Sequence, residues 1–281
     1  MKITKKEIYA GFGIEYKAGK INYPIYGMKR PILKNGNAKV GKNVWTESLL
    51  PTNKIISGYA RLANVVNMAG LKEIKGTCNC TCKNEKGETA CYACTGCYQF
   101  DSTKASLAVN TIMAKYYMNW FKRAIMAQII ADNIKIVRIH AAGDFFSSEY
   151  VELWKEIIKA NPGVLFWTYT KTKYENAFNG FSNANIVKSV VKGFGINFGH
   201  CGYIAKLYNV LKAAGKDVFL CPCGIKGFET ETKCNTCCAC AKHEYVLFVE
   251  HSTSYDSSKD PDLELIKAIL NNQEKELAKA A

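Results

Sequence analysis

The order of apolar and polar positions predicts helices before and after a stretch in which strands and helices alternate. Apolar residues at helical spacing run through 53–70, where Gly70 is typical of a helix stop. A long amphipathic stretch over 102–133 predicts one helix or two with Ser102 as the N-cap, and Pro261 opens a closing helix over 261–280. Residues 1–53 are polar and rich in Gly, Lys and Asn, and they predict loops and short strands.

Short apolar runs predict strands in the second half of the chain. They cover 134–140, 164–170, 185–191, 195–198, 217–221 and 245–251. Helical patterns lie between them over 147–162, which opens on a serine with a glutamate close behind, and over 202–216. Strands that alternate with helices indicate a parallel sheet, either open or closed into a barrel.

Composition and charge narrow the class of protein. The chain has 281 residues, is 48% hydrophobic and carries a net charge of +14, so it can bury a substantial core. It has no apolar run typical of a signal peptide or a membrane span, and we expect a cytoplasmic protein without a membrane partner. Most of its 38 basic residues are lysines, which act as point charges. Any nucleic-acid affinity is therefore expected to be electrostatic and salt-sensitive, although a lysine-rich surface serves solubility equally well.

Thirteen cysteines change this picture, because twelve of them fall into two short regions. The first cysteine region, 78–97, and the second, 221–240, hold six each, and both contain a C-x2-C-x2-C run. Disulfides are rare in the cytoplasm, so clustered cysteines favour metal binding there. The candidate ligands are Cys78, Cys80, Cys82, Cys91, Cys94, Cys97, Cys221, Cys223, Cys234, Cys237, Cys238 and Cys240. Such runs serve iron–sulfur clusters and tetrahedral zinc alike, and a purely structural metal is an equal alternative to a reactive one.

Polar residues follow several predicted strands at the edge where parallel folds place ligands and catalytic groups. His140 and Asp144 follow the strand over 134–140, and Lys171 follows the next one. These three residues are the candidate catalytic groups, although a lone histidine at a strand end is more often structural. The candidate cofactor-binding residues are Gly143, Tyr169, Ser189 and His200.

Several motifs together resemble a known family. "CYAC", "VRIHAAGDFFSSEYVELW", "YTK", "INFG" and a late C-x2-C-x2-C run before "VLFVEH" are similar, over about residues 45–251, to the phage-encoded proteins named after gene product 88. That resemblance implies a phage origin and little about activity. A looser similarity to radical-SAM proteins implies a partial β/α barrel with a four-iron cluster. The C-x3-C-x2-C signature and the glycine-rich strand of that superfamily are absent here, so SAM stays open as a cofactor.

These observations support two hypotheses. The first is an iron–sulfur protein, most simply with a 4Fe–4S cluster and a radical-SAM-like or redox activity on a nucleic acid or nucleotide. The second is a zinc-stabilised nucleic-acid-binding protein without catalysis. The expected fold is α/β, a partial or complete parallel β/α barrel with two cysteine-rich insertions. Its expected parts are an N-terminal segment 1–77, a core 78–251 and a closing helix within 252–281, all in one compact domain.

Overall fold

Two sheets of parallel strands organise the part of the chain that the structure describes. This computed structural model describes residues 3–25, 31–36, 41–52, 55–78, 91, 93, 96–188, 197–223, 225, 228, 234–250 and 256–280. The strands are β1 Tyr16–Lys17, β2 Lys20–Ile21, β3 Lys34–Asn35, β4 Val44–Thr46, β5 Ile136–Arg138, β6 Leu165–Thr170, β7 Ala184–Lys188, β8 Phe198–Gly199, β9 Val218–Cys221 and β10 Tyr245–Val249. Where they fall on described residues, the strands predicted over 134–251 are thus confirmed as β5 to β10. Residues 189–191, 195–196 and 251, which belong to three of the predicted strands, lie outside the described residues.

The helices follow the predicted pattern with two additions. They are α1 Lys5–Gly11, α2 Ala60–Met68, α3 Asp101–Tyr116, α4 Met118–Ala131, α5 Ser148–Ala160, α6 Cys201–Ala213, α7 Cys234–Cys237 and α8 Leu263–Ala280. The additions are the single turn α7 and the helix α1, and α1 opens on a reciprocal capping box between Thr4 and Glu7. The T-x-x-E spacing in the sequence is the signal that could have revealed it. No helix among the described residues is long and apolar enough to cross a membrane.

The amphipathic stretch over 102–133 divides into α3 and α4 at Tyr117, and its predicted cap is wrong. The N-cap of α3 is Phe100, and Ser102 lies inside the helix. The preceding Asp101 instead accepts the main-chain N–H groups of Arg61 and Leu62, at 2.8 and 3.1 Å. Asp101 therefore satisfies two N–H groups in the first turn of α2, and it holds that helix against α3.

The first sheet has the strand order β3–β4–β5–β6–β7, with β4 to β7 parallel and the short β3 antiparallel at one edge. Its two faces are covered differently. Val137 and Phe166 point into the largest core, which also holds Phe121 of α4 and Trp154 of α5. On the opposite face Trp167 packs with residues of the second cysteine region. Both faces are buried, as is usual for parallel strands.

The second sheet has the order β8–β10–β9, all parallel, and α6 and α8 pack on it. It meets the first sheet at Lys188 of β7, whose N–H donates to the carbonyl of Glu244 at 2.9 Å. Asn197 bridges the same junction, because its side chain donates to the Lys188 carbonyl and its own carbonyl accepts the N–H of Phe248. Closure into a barrel needs one continuous ladder of strands. The parallel strands of the described residues form two sheets instead, beside the separate antiparallel pair β1–β2, so the barrel expected from the radical-SAM similarity is not found among these residues.

Candidate metal centre and sheet-edge site

The second cysteine region brings thiols from two separate elements onto one face of the first sheet. Cys234 and Cys237 open and close the single turn of α7, and Cys240 lies in the following 3-10 turn. Residues three apart on a helical turn face the same way, which explains the use of C-x2-C here. Cys221 ends β9 and Cys223 follows it. The segment is held in place by Asn185 of β7, whose side chain donates to the carbonyls of Cys240 and His243.

These thiols pack among large apolar side chains. Cys234 and Cys240 lie against Val44 and Trp167 of the first sheet. A neighbouring cluster contains Val187, Phe219, Ala239 and Val246, and Cys221, Cys237 and Cys240 pack against it. The site therefore lies between the two sheets, and its thiols are half-buried.

Burial shapes the acidity of three of these thiols. It raises the pKa of Cys221 well above the ordinary value, and the nearby thiols of Cys223, Cys234 and Cys240 raise it further. It also raises the pKa of Cys234, and that of Cys240 to about 12. Binding a metal through these sulfurs therefore releases protons, because the metal ligand is the thiolate.

Two polar side chains of the first sheet oppose this effect. The hydroxyl of Tyr169 lies 2.7 Å from the sulfur of Cys240. The guanidinium of Arg138 lies 5.3 Å from the centre of the Tyr169 ring and lowers the pKa of both Cys234 and Cys240. Tyr169 was a predicted cofactor-binding residue, and the structure places it at a thiol. The contribution of Arg138 was missed, although a charged residue inside the apolar strand "IVRIH" was a signal for it.

Cys238 is placed differently from its neighbours. Its backbone is left-handed, with φ of 49°, and its thiol donates to the carbonyl of Cys234 at 3.4 Å. None of the ten described cysteines is in a disulfide. Within the described ranges, no three Cys, His, Asp or Glu side chains already surround a single point as metal ligands. The thiols are thus neighbours with a soft donor set, and they are not arranged around one point in this structure.

The first cysteine region is described at its two ends. Cys80, Cys82 and Cys94 lie outside the described residues, whereas Cys78 and Cys91 are half-buried and Cys97 is exposed. Both ends contact the loop after β5. The hydroxyl of Thr77 accepts the N–H of Asp144 at 3.1 Å, and the hydroxyl of Tyr98 reaches the carbonyl of Ala141 at 3.5 Å. The region therefore begins and ends at the carboxyl edge of the first sheet, next to the residues predicted to follow β5.

Asp144 ties two strand ends together at this edge. One carboxylate oxygen accepts the Phe145 N–H at 2.7 Å and the Thr170 hydroxyl at 2.6 Å, and the other accepts the Lys171 N–H at 2.9 Å. Burial raises the pKa of this carboxyl, and the three hydrogen bonds oppose the rise. Gly143 has φ of +89°, and a Cβ there would lie 2.7 Å from the Thr77 hydroxyl. The loop is thus built around a close approach that only glycine allows.

His140 lies behind the edge, fully enclosed. Its ring nitrogens lie 3.3 Å from the hydroxyls of Thr168 and Tyr150, and its φ is 56°. Burial lowers the pKa of His140 to about 3, so the ring is neutral at physiological pH. A carboxyl oxygen of the buried Glu47 lies 3.9 Å from its Nε2. His140 is therefore held as an interior residue, and its predicted catalytic role stays a prediction.

Glu47 is a buried carboxyl that the sequence patterns missed. Within the part of the chain that the structure describes, neither of its carboxyl oxygens has a hydrogen-bond partner. Burial raises its pKa to about 8, and the main-chain N–H of His140, close to it but outside hydrogen-bond geometry, opposes that rise only in part. The short strand β4, which Glu47 follows directly, gives little periodic signal from which the position could have been found.

The other predicted residues divide between the two sheets. Lys171 joins the Asp144 group through its main-chain N–H. His200 is the N-cap of α6 on the second sheet, where its Nε2 lies 3.5 Å from a carboxylate oxygen of Glu250. Ser189 lies outside the described residues. Of the predicted catalytic and cofactor-binding residues, the structure therefore brings His140, Gly143, Asp144 and Lys171 to one edge of the first sheet.

A known protein family matches the part of the chain that contains the edge of the first sheet. The family described as Gene product 88 matches residues 31–192, which is more than half of the chain. The Gene 88 protein of Mycobacterium phage L5 is 51% identical over 39 residues, 14% of this chain and 16% of that protein. The chain thus aligns with less than a fifth of that relative's length. No solved structure matches the chain.

Proposed function

This chain belongs to the gene product 88 family of phage proteins, and from that premise we propose that it binds an iron–sulfur cluster through the second cysteine region. The family match ends at residue 192, before that region begins. The proposal therefore draws on the geometry of the region itself. Its main support is the meeting of thiols from β9 and α7 on the buried face of the first sheet.

The ligand set that this packing favours is Cys221, Cys234, Cys237 and Cys240. Cys221 and Cys240 each interact electrostatically with Cys234, and Cys240 also interacts with Cys237. Cys223 also interacts electrostatically with Cys221 and Cys234, and it is the alternative fourth ligand. Cys238 is excluded, because its thiol points to the main chain of α7.

Iron–sulfur is favoured over zinc by the surroundings of the thiols. Clusters are held by runs of cysteines such as this one, and hydrogen bonds to their sulfurs adjust their redox behaviour. The Tyr169 hydroxyl at the Cys240 sulfur is a contact of that kind. Zinc is the second candidate, because a C-x2-C pair on one turn also suits a tetrahedral structural site.

We extend the proposal to the first cysteine region, which supplies the edge of the first sheet with further thiols. The C-x2-C-x2-C run of Cys91, Cys94 and Cys97 makes a second centre the simplest use of that region. A redox reaction on a nucleic acid or nucleotide would take place at the same edge, where Lys171 and the net charge of +14 favour an anionic substrate. This part predicts binding that weakens steeply as salt is raised.

The experiment that tests the cluster is purification of the full chain without oxygen, followed by iron, sulfide and zinc analysis and an absorption spectrum. We expect a brown protein with iron and sulfide in equal amounts. Cys237→Ser should lose the iron of the second region, whereas Cys238→Ser, one residue away, should keep it. A colourless protein with zinc alone would establish the second candidate, and a protein with neither metal would refute the proposal.

A further inference from the structure

Two polar side chains lie side by side on the mainly apolar face that carries the second cysteine region. Arg138 of β5 is paired in register with Trp167 of β6, and Tyr169 lies two residues further along the same face. The neighbouring side chains that pack there, Val44 and Trp167, are apolar and nearly inaccessible. Burying a guanidinium and a hydroxyl in such a place costs free energy unless they meet a charge or an acceptor.

Tyr169 and Arg138 both lie close to thiols of the second cysteine region. The Tyr169 hydroxyl lies 2.7 Å from the Cys240 sulfur. A phenol hydroxyl is protonated at neutral pH, so at this distance it can donate a hydrogen bond to a thiolate sulfur. Arg138 lies on the ring of the same tyrosine, 5.3 Å from its centre, and its charge also acts on Cys234. One hydroxyl donor and one cation therefore lie close to the sulfurs of Cys240 and Cys234.

We infer that Tyr169 and Arg138 are positioning residues that stabilise negative charge on the sulfurs of Cys240 and Cys234 and thereby set the redox potential of the proposed centre. The inference rests on the proposed function, since it needs a metal at these thiols. The reduced state of a cluster carries one more negative charge than the oxidised state. A donor or a cation at the ligand sulfur stabilises the reduced state more, and it raises the reduction potential.

The main test is the midpoint potential of the protein reconstituted with iron and sulfide in the absence of oxygen. Tyr169→Phe removes the donor and keeps the ring, and we expect it to favour oxidation about tenfold, which is about 59 mV toward more negative potential for one electron. Arg138→Gln is expected to shift the potential in the same direction. Arg138→Lys keeps the positive charge, so its potential should lie close to that of the wild type. Tyr208→Phe is the matched control, since Tyr208 of α6 lies in the core of the second sheet.

The outcomes separate this inference from the proposed function. If the wild type holds neither iron nor zinc, the proposed centre fails and the inference fails with it. If Tyr169→Phe and Arg138→Gln both keep the iron of the wild type and its potential, the inference is overturned while the centre stands. If Tyr169→Phe does not keep its iron, the midpoint potentials of the two Arg138 variants decide instead. An Arg138→Gln protein with the iron and the potential of the wild type then overturns the inference.

A zinc protein would be tested by Co²⁺ substitution. Removing a hydrogen bond makes a thiolate a stronger electron donor, so the sulfur-to-cobalt band of Tyr169→Phe should move to longer wavelength. The band of Tyr208→Phe should stay at the wild-type position. A band that is unchanged in Tyr169→Phe would overturn the inference for that metal.

Discussion

Glu47→Gln is expected to change the sign of the net change in stability between pH 4.5 and 8. Burial raises the pKa of Glu47 from 4.5 to about 8 in the folded protein. The folded state then binds more protons than the unfolded state between these values, so the contribution of Glu47 is lost as pH rises through this window. His140 acts in the opposite direction, because its folded pKa is about 3 against an ordinary 6.5. Its contribution is lost as pH falls from 6.5 to 3.

The expected changes in the free energy of unfolding follow from the two pH ranges over which Glu47 and His140 titrate. Each shift corresponds to about 5 kcal/mol over its whole window, at about 1.4 kcal/mol per pH unit. Between pH 4.5 and 6.5 the two effects cancel, and from pH 6.5 to 8 the wild type should lose about 2 kcal/mol through Glu47. Glutamine cannot ionise, so the variant should instead gain about 3 kcal/mol from pH 4.5 to 6.5 and stay level above that.

The assay is urea unfolding of both proteins at half-unit steps from pH 4.5 to 8.5, because the difference between the two free energies of unfolding removes the effect of every other titrating group. The stability of Glu47→Gln relative to wild type should rise by about 5 kcal/mol across this range. Glu152→Gln on the surface of α5 controls for the loss of one acidic side chain. A difference that does not change with pH would show that Glu47 is not a protonated carboxyl in the folded protein.

Three further predictions concern the sheet edge, the helix pair and the metal. Gly143→Ala should lower the free energy of unfolding by about 2 kcal/mol or more, because it combines a positive φ with a Cβ placed 2.7 Å from the hydroxyl of Thr77; an unchanged denaturant midpoint would contradict this. Asp101→Ala should cost about 1–2 kcal/mol through the lost cap of α2, and Asp101→Asn, which keeps an acceptor, should cost less. Anaerobic removal of metal by a chelator should lower the melting temperature of the wild type more than that of Cys237→Ser, which keeps only the proposed centre of the first cysteine region, since a bound metal stabilises the folded state by mass action; an equal fall in the two proteins would contradict this.

The strands and helices between residues 134 and 250 could be predicted because each carries a local apolar pattern. The antiparallel β3 and the three-residue β4 are too short to leave such a pattern, and Glu47 follows one of them. The division into two sheets was equally inaccessible to sequence patterns. It depends on the junction at Lys188 and Asn197, which is made by hydrogen bonds between residues about ten or more positions apart.

The cysteine spacing predicted metal binding but could not say which thiols meet. Cys237 belongs to the C-x2-C-x2-C run and the adjacent Cys238 does not, but spacing alone left both as candidate ligands. A left-handed backbone at Cys238 turns its thiol to the α7 carbonyl, whereas Cys237 packs with Cys240 on the buried cluster. Cys221, the last residue of β9, packs on the same cluster as Cys237 and Cys240. Such a meeting is set by tertiary packing, and no spacing rule encodes it.

The strand β6 explains why one short segment contributes to both candidate sites. Side chains alternate between the faces of a strand. Trp167 and Tyr169 therefore lie on the face of the second cysteine region, while Thr168 contacts His140 and Thr170 contacts Asp144. A shift of one residue in the register of β6 would exchange these contacts, so that threonines met the thiols and aromatic rings met the carboxylate. The five-residue parallel pairing of β6 with β7 fixes the register, and it thereby fixes the chemistry on both faces of the sheet.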